Sequence, residues 1–532
     1  MSGPAIAERG MVATSHPAAT DIGVEILRAG GTALDAAIAA NAALGLVEPM
    51  SCGLGGDLFA ILSTPEIATP LGLNGSGRAP RRLTADLVRQ RGLHRLPLRG
   101  PLSVTVPGCV DGWWALHQRF GSLPWEDLLA PTIELARRGT AVPPVIGAQW
   151  HESEALLAID PGSRETFLVD GRAPQPGDVA TNNDLAEVLA ALARGGRDSF
   201  YTGDIGQTLL ASARKAGVPF EEDDLATHTS SWVRPACLRF RGLEVWELPA
   251  NTQGLVVLDM LNILSGYDFG ASGPHDPLTV HLFVEAKKRA YERRAWWIGD
   301  PERAPSWPRD VLTPGYGEKE RQCIDPDRAS RSIEPDASSS DTVIVAAVDS
   351  RRMAVTLVQS VFHSFGSGIT PRGLGFVLQN RGSLFRLAGP HANALEPGRR
   401  PFHTLIPGLV TEAGRPRFAF GVMGGDMQPQ GHVQILQNLL AFGMDPQTAG
   451  DEPRVRHDGS STPMGDVMCD GGTVHLEPPL GEDLASALRA KGHQVSISRG
   501  GYGGYQGIWI DDESGRLLGG SESRKDGCAR GY

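Results

Sequence analysis

The sequence predicts a layered α+β protein in which helices cover β-strands. Residues 32–47, "TALDAAIAANAALGLV", place apolar side chains at helical spacing. Residues 342–348 and 353–360 are two apolar runs joined by a short turn at Ser350–Arg352, which is the pattern of a β-hairpin. A chain of 532 residues exceeds what one small core organises. We therefore expect two lobes or one large layered domain.

The N-terminal helix is defined by its ends. Thr32 can cap it, and Asp35 follows three residues later, as in a capping box. Pro49 marks the end of the helix. The high alanine content of this helix indicates that another element packs closely against it. The next stretch, "CGLGGDLFAIL", is interpreted as a glycine turn into a strand, because Leu58 occupies the third glycine position of a dinucleotide-binding loop.

The rest of the chain divides into a helical part, an irregular part and the segment that begins with the hairpin. Residues 100–300 are predicted to be mainly helical, and residues 300–341, rich in Pro, Gly, Ser and charge, to be irregular surface chain. The first strand of the hairpin is apolar on both faces, so both faces should be covered. This predicts that the hairpin lies at the centre of the layers.

Composition limits the function. The net charge of -11 argues against a nucleic-acid partner. We expect no membrane span, because no run of about 18 apolar residues occurs. The N-terminus lacks a signal pattern and the six cysteines are scattered, which indicates a cytoplasmic protein with reduced thiols. With no HExxH motif and with His16, His151 and His403 isolated, no metal or cofactor is expected.

Thr342 follows the polar leader "PDASSSD" directly. A threonine hydroxyl is a poor nucleophile unless its own α-amine acts as base, which requires Thr342 to begin a chain. An α-amine titrates near pH 8 and can accept a proton at neutral pH. The hydroxyl can free that amine itself, by attacking the preceding carbonyl to form an ester that water opens. On this stretch alone, a plain strand start is favoured.

Several ordered stretches carry a resemblance. They are "GMVATSHPAATDIGVEILRAGGTALDAAIAANAALGLVEPMSCGLGGDLF", "DTVIVAAVDSRRMAVTLVQSVFHSFGSGI", "LQNRGSLF", "RRPFHTLIPGLV", "GVMGGDMQPQGHVQILQNLLAFGMDP" and "GGSESRKDGCARGY". Together they span nearly the whole chain and resemble the γ-glutamyltranspeptidase family of N-terminal-nucleophile hydrolases. "NGSGRAP", "LQNRG" and "GVMGGDMQPQGH" are most similar to its hydrolase-type branch, which includes oxamate amidohydrolase and cephalosporin-acylase-like members.

The resemblance implies a four-layer αββα sandwich and a proenzyme that cuts itself between Asp341 and Thr342. The large chain 1–341 and the small chain 342–532 stay associated as one domain, and a homodimer of that heterodimer is allowed. Thr342 falls on the family's nucleophile, and Ser360 on a hydroxyl residue that touches its amine. Gly424 and Gly425 fall on the oxyanion-hole glycines, whose backbone N–H groups need no side chain.

The substrate-binding positions depart from the family pattern. Its arginine aligns with Ser76, its asparagine with Phe362, its acidic residue with Leu384 and its glutamine with Arg381; a serine pair aligns with His403 and Thr404. Leu384 and Phe362 offer no acceptor for an ammonium group. Arg381 and Arg78 are suited to a carboxylate, although a structural ion pair is an equal alternative.

Three further residues follow the oxyanion glycines. Asp426 and Gln428 can line the pocket or fix the loop through backbone hydrogen bonds. His432 is interpreted as a structural histidine, because the α-amine already supplies the base.

The predicted function is amide hydrolysis of a small-molecule substrate through a Thr342 acyl-enzyme, with hydrolysis favoured over transfer. Glutathione or another γ-glutamyl amide is the family's default substrate, and the departures weaken that choice. Two alternatives stay open: an unprocessed, inactive scaffold with the same fold, or a natural-product enzyme acting on a different bond.

Overall fold

The computed structural model describes residues 3–269, 272–303, 307–331, 342–387 and 389–532, so Asp341 and the leader before it lie outside the described residues. Within these ranges the strands are, in chain order, β1 (Ala5–Ala7), β2 (Met11–Thr14), β3 (Asp57–Ser63), β4 (Leu71–Gly75), β5 (Thr140–Ala141), β6 (Val179–Ala180), β7 (Ser231–Val233), β8 (Ala236–Phe240), β9 (Leu243–Glu247), β10 (Val343–Val348), β11 (Ala354–Ser360), β12 (Gly408–Glu412), β13 (Arg415–Met423), β14 (Val455–Asp458), β15 (Thr473–Leu476), β16 (Gln494–Ile497), β17 (Gly504–Ile510), β18 (Leu517–Ser521) and β19 (Cys528–Gly531).

Helices connect and flank these strands. They are α1 (Pro17–Arg28), α2 (Ala33–Val47), α3 (Ala85–Gln90), α4 (Cys109–Phe120), α5 (Trp125–Arg138), α6 (Pro144–Glu152), α7 (Glu154–Leu157), α8 (Pro161–Phe167), α9 (Asn183–Tyr201), α10 (Asp204–Lys215), α11 (Asp223–Ala226), α12 (Gly254–Leu264), α13 (Pro277–Trp297), α14 (Pro314–Arg321), α15 (Met427–Leu440), α16 (Pro446–Asp451) and α17 (Gly481–Ala490). Short 3₁₀ turns span Pro101–Ser103, Arg309–Leu312, Arg381–Leu384 and Pro478–Leu480.

Two seven-stranded sheets form the centre of the fold. One has the order β19-β2-β10-β11-β3-β4-β7, and the other has the order β1-β18-β17-β13-β12-β9-β8. Each sheet contains strands from before and after Thr342, since β10 pairs with β2 in the first sheet and β12 pairs with β9 in the second. The two segments of the chain are therefore interleaved within both sheets.

The hairpin of β10 and β11 is confirmed, and both faces of β10 are covered as its sequence predicts. Val343, Val345 and Ala347 pack into a buried cluster that contains the apolar side chains of α2. Ile344, Ala346 and Val348 pack instead against residues of the second sheet, such as Leu409, Ala419 and Ile508. This strand therefore separates a helix layer from the other sheet.

The second sheet is covered on its opposite face by helices. Val245, Phe418 and Phe420 share a buried cluster with apolar residues of α12, α13 and α15. These helices bring polar side chains to the loop that precedes α15, which is the part of the fold that the site uses.

The helix predicted near the N-terminus is confirmed with its capping box. Asp35 N donates to Thr32 Oγ1 at 3.1 Å, and Thr32 N donates to Asp35 Oδ2 at 2.9 Å. The helix ends at Val47, two residues before Pro49, and every residue in it is buried.

Two stretches differ from the sequence-based expectation. The region predicted to be mainly helical also contains the hairpin β8–β9, whose turn places Arg241 and Gly242 at positive φ and whose Leu238, Phe240 and Val245 are buried. The stretch predicted to be irregular contains α14, which Thr313 caps by accepting from Tyr316 N. That helix is highly charged and is fixed by ion pairs rather than by an apolar stripe.

None of the helices in the described ranges is both long and apolar enough to cross a bilayer. All six cysteines are free thiols.

Candidate active site

Thr342 lies immediately before β10 and is completely buried. Val343 pairs with Gln359 of β11, which places Thr342 beside Ser360 at the end of that strand. Gln428 Nε2 approaches Thr342 Oγ1 at 3.4 Å, while Gln428 Oε1 accepts from Ile406 N at 3.1 Å. The hydroxyl is thus held where a central strand begins, next to the start of α15.

Ser360 is also completely buried, and its Oγ accepts from Phe362 N at 2.7 Å. Ser360 pairs with Asp57, the first residue of β3. Three adjacent strands therefore meet at this point, and they contribute Thr342, Ser360 and Asp57 in that order.

Gly424 and Gly425 form the loop between β13 and α15, with φ values of 113° and 58°. A Cβ on Gly424 would lie 3.1 Å from Gly503 Cα, so a side chain there would meet both strain and crowding. Their carbonyls accept from Met427 N and Gln428 N at the start of α15. Their N–H groups find no partner in the described part of the chain and remain available to an oxyanion.

The loop of Gly424 and Gly425, called the oxyanion loop after its predicted role, is held by Gln253, which precedes α12, and by residues of α13. Gln253 Nε2 donates to the carbonyl oxygens of Gly425 and Thr404, each at 2.9 Å, and Gln253 Oε1 accepts from Arg294 Nη1 at 2.8 Å. Arg294 also donates to the Asp426 carboxylate at 2.7 and 3.2 Å. Tyr291 OH donates to the Asp426 carbonyl. Asp426 therefore fixes the loop.

Arg381 lies in the 3₁₀ turn after "LQN" and is completely buried. Its Nη1 donates to Thr404 Oγ1 at 2.8 Å, and its guanidinium lies 4.2 Å from the centre of the Phe362 ring. Burial lowers the pKa of Arg381 to about 9, and the charge of nearby Asp57 opposes that shift. Phe362 and Thr404 thus support Arg381.

His403 is held by Asp57, with Nε2 3.0 Å from Asp57 Oδ2. Because Leu405 N donates to His403 Nδ1, the proton lies on Nε2 and is donated to the carboxylate. Burial lowers the pKa of His403 well below 6.5, so the ring is neutral. Asp57 Oδ1 accepts from Gly77 N and Gln379 Nε2, each at 2.8 Å, yet burial raises the pKa of Asp57 to about 6.

Ser76 and Arg78 are placed differently from each other. Ser76 is buried, and its Oγ donates to Asn74 Oδ1 at 2.7 Å. Arg78 Nη2 donates to both carboxylate oxygens of Glu302, at 2.9 and 3.0 Å, and Arg78 lines a separate cavity of about 510 Å³. Its side chain is committed to that ion pair, and its role in substrate binding stays a prediction.

A cleft of about 950 Å³ leads to the oxyanion loop. Gly424, Asp426 and Met427 form one part of its wall, and His363 and Tyr502 form another.

His432 is structural in the geometry observed. Its Nε2 accepts from Val422 N at 3.1 Å, and its Nδ1 donates to Glu247 at 2.7 Å. Elsewhere, His281, Glu285 and His493 bring their side chains together, but hydrogen bonds to Lys288 Nζ and the Asp325 carbonyl occupy this group. The cation on Lys288 disfavours a metal ion there.

Sequence reasoning did not identify Asp57, Gln253, Tyr291 or Arg294 as part of the site. Asp57 could have been identified from the sequence, since it is a charged residue at the start of an otherwise apolar strand. Gln253 and the two residues of α13 could not, because their partners at the loop are more than one hundred residues away in sequence.

The sequence model of one known family, described as Gamma-glutamyltranspeptidase, matches residues 19–532. A glutathione hydrolase-like YwrD proenzyme of Bacillus subtilis (strain 168) is 35% identical over 539 residues, covering 100% of both chains. The oxamate amidohydrolase proenzyme of Klebsiella pneumoniae is 33% identical over 541 residues, covering 99% of both.

Among solved structures, cephalosporin acylase from Bacillus halodurans is similar over 100% of this chain and 97% of its own. It has a TM-score of 0.92 and 37% sequence identity. The similarity extends across both segments of the chain, before and after Thr342.

Proposed function

Because the chain belongs to the γ-glutamyltranspeptidase family, we propose that it cuts itself before Thr342 and then hydrolyses a small-molecule amide through a Thr342 acyl-enzyme. Its similarity to amidohydrolase and acylase proenzymes supports amide hydrolysis. The observation that carries the proposal is the position of the Thr342 hydroxyl, beside Ser360 and next to the loop of Gly424 and Gly425.

Maturation follows from that position. Thr342 Oγ attacks the carbonyl carbon of Asp341, and the peptide bond breaks to leave an ester and a free α-amine on Thr342. One water molecule hydrolyses the ester, which yields the carboxylate of Asp341 and restores the hydroxyl. Chain 1–341 and chain 342–532 remain in one four-layer αββα sandwich, because both sheets draw strands from both chains.

Turnover uses the same hydroxyl. The α-amine takes the proton of Thr342 Oγ as the oxygen attacks the substrate carbonyl, and the N–H groups of Gly424 and Gly425 stabilise the oxyanion. The C–N bond then breaks, and the amine returns the proton to the leaving nitrogen. Water hydrolyses the ester, so one amide and one water give one acid and one amine.

Hydrolysis is favoured over transfer in this proposal. Transfer needs an amine acceptor that competes with water, and the three relatives named above carry hydrolase, amidohydrolase or acylase descriptions. Product analysis with a dipeptide acceptor such as glycylglycine measures this partition.

The test is a denaturing gel with intact-mass measurement of wild type, Thr342→Ala and Thr356→Ala. Thr356 is a buried strand threonine whose hydroxyl donates to the Gly408 carbonyl, and it serves as the control. We expect two fragments that break between residues 341 and 342 in wild type and control, and one uncut chain in Thr342→Ala. An uncut wild type with no amidase activity would instead favour an inactive scaffold.

A further inference from the structure

A cavity of about 100 Å³ lies where the end of α2 meets α6, α8 and the two-stranded sheet of β5 and β6. We call it the His16 cavity, after the histidine in its wall. None of the described residues that line it also lines the cleft at the oxyanion loop or the cavity at Arg78. Most of its wall is apolar, and includes Val142, Trp150 and Phe167. It is a separate space that the proposed reaction does not use.

His16 supplies a buried hydrogen-bond donor to this wall. The side chain is 4% exposed, and its Nδ1 accepts from Ala18 N at 3.1 Å, which caps the start of α1. Burial lowers the pKa of His16 to about 4, so the ring is neutral near pH 7 and its proton lies on Nε2. Nε2 is buried without a hydrogen-bond partner among the described residues. An acceptor in the cavity would remove the cost of that unpaired donor.

The wall offers little to a water molecule, which typically makes about three hydrogen bonds when it is buried. The side chain of Asn182 is already used, because it donates to the Gly375 carbonyl at 2.8 Å and accepts from Leu185 N at 3.0 Å. The other polar side chains of the described wall are partly or fully exposed, and they are Thr140, Thr166 and Thr181. The cavity therefore favours an apolar occupant that carries one acceptor.

Two valines give the cavity an apolar rim. Val169 is 68% exposed and Val179 is 65% exposed, and both line the cavity. A single exposed valine is ordinary on a protein surface. Two of them beside the same apolar cavity form a small apolar entrance, which suits a ligand that leaves water for an apolar wall.

The shape of the wall favours a flat ring. The rings of Trp150 and Phe167 meet edge to face, with centroids 6.3 Å apart. Trp150 Nε1 donates to the Phe167 carbonyl at 3.0 Å, which fixes the indole and satisfies its only donor. An apolar cavity of about 150 Å³ holds benzene in another protein. The volume of the His16 cavity therefore limits an occupant to one ring.

The same two aromatic side chains border the segment that lines the cleft. The ring centroid of Phe365 lies 6.0 Å from that of Trp150 and 5.0 Å from that of Phe167. Ser364, the residue before Phe365, lines the cleft. An occupant of the His16 cavity is thus one side chain away from the cleft wall without entering the cleft.

We propose that the His16 cavity binds a small one-ring aromatic molecule whose neutral oxygen accepts a hydrogen bond from His16 Nε2. The ring packs against Trp150 and Phe167. Phenols and aromatic aldehydes have this chemistry. A benzoate-type anion is disfavoured, because His16, the only ionisable residue in the described wall, is neutral. The inference is independent of the proposed reaction.

The test is calorimetry with phenol, with toluene, which replaces the hydroxyl by a methyl group, and with benzoate. We expect saturable 1:1 binding of phenol and toluene to wild type, and binding of benzoate at least about tenfold weaker than that of phenol. His16→Asn keeps a residue that caps helices well but loses the imidazole donor. It should weaken phenol binding by about tenfold and change toluene binding by less than about threefold. Retained toluene binding also shows that this variant is folded.

A second variant fills the cavity by an independent change. Ala180 lines the cavity, and Ala180→Leu should abolish the binding of both ligands while the Tm without ligand is kept or raised. Ala148→Leu is the matched control, because it adds the same group at an exposed position of α6 and should bind phenol as wild type does.

Binding to Thr342→Ala separates this inference from the proposed function, since we expect that variant to bind phenol normally whether or not the wild type cuts itself or hydrolyses amides. Absence of saturable phenol binding, equal phenol affinity in wild type and His16→Asn, or binding that Ala180→Leu leaves unchanged would overturn the inference. Competition between phenol and an amide substrate would place phenol in the cleft and overturn it as well.

Discussion

The side-chain amide of Gln253 donates to the main-chain carbonyl of Gly425 at 2.9 Å. The same nitrogen donates to Thr404, so one amide holds both the oxyanion loop and the residue that anchors Arg381. Arg294 fixes the orientation of that amide by donating to its oxygen. Gln253 therefore positions two parts of the site without touching a substrate.

Replacing Gln253 by methionine should lower kcat by at least about tenfold, since its hydrogen bonds to Gly425 and to Thr404, worth about 1 kcal/mol each, are both lost. Steady-state kinetics on an amide that the wild-type enzyme hydrolyses measures this. Gln434→Met is the matched control, because Gln434 Nε2 also donates to two carbonyls, those of Gln430 and Val455, away from the oxyanion loop. Equal losses in the two variants would argue against a positioning role.

Gly424→Ala should reduce kcat by about 100-fold, as expected when an oxyanion donor is displaced. The added Cβ meets Gly503, and the φ of 113° is unfavourable for alanine. Gly443→Ala isolates the strain, since Gly443 also has a positive φ of 68° but open space around its Cβ. Comparable activity in both variants would show that Gly424 serves the turn alone.

Arg381→Met should leave the free energy of unfolding unchanged or raise it, because a buried cation with two unpartnered nitrogens is removed. Arg454→Met is the contrast. Arg454 is equally buried but pairs with Glu522 at 2.6 Å and with the Tyr502 carbonyl, and its loss should cost about 3–5 kcal/mol. Thermal unfolding of the two variants checks this, and a large loss for Arg381→Met would mean that its partner is already present in the protein.

Local patterns predicted the parts of the fold that depend on neighbouring residues. The capping box at Thr32 and the hairpin after Thr342 follow from short stretches, and both are found. The hairpin β8–β9 was missed, although its alternating apolar residues and the Arg241–Gly242 turn were visible in the sequence. The charged helix α14 was also missed, because its sequence has no apolar stripe. Ion pairs such as that of Glu320 with Arg293 fix this helix instead.

The sequence motifs located a few residues that the structure places near one another. Thr342 lies beside Ser360 and contacts Gln428 near the glycine pair, and the catalytic roles that the resemblance implies for these residues stay predictions. The directions of Arg78 and Arg381 were not predictable, because their partners lie 224 and 23 residues away. Gln253 and Arg294 reach their partners across 172 and 132 residues, and no periodicity of the sequence indicates such contacts.

The interleaving of the two segments determines how the mature protein unfolds and loses activity. In the uncut precursor, β2 and β10 are parts of one molecule, and refolding is a first-order process. After the cut, unfolding releases two separate polypeptides whose strands alternate in both sheets. Reassembly then depends on concentration, and neither chain can complete a sheet alone. Heat inactivation of the mature enzyme should therefore be irreversible at low concentration, so that its lifetime is set by the rate at which the sheets first open.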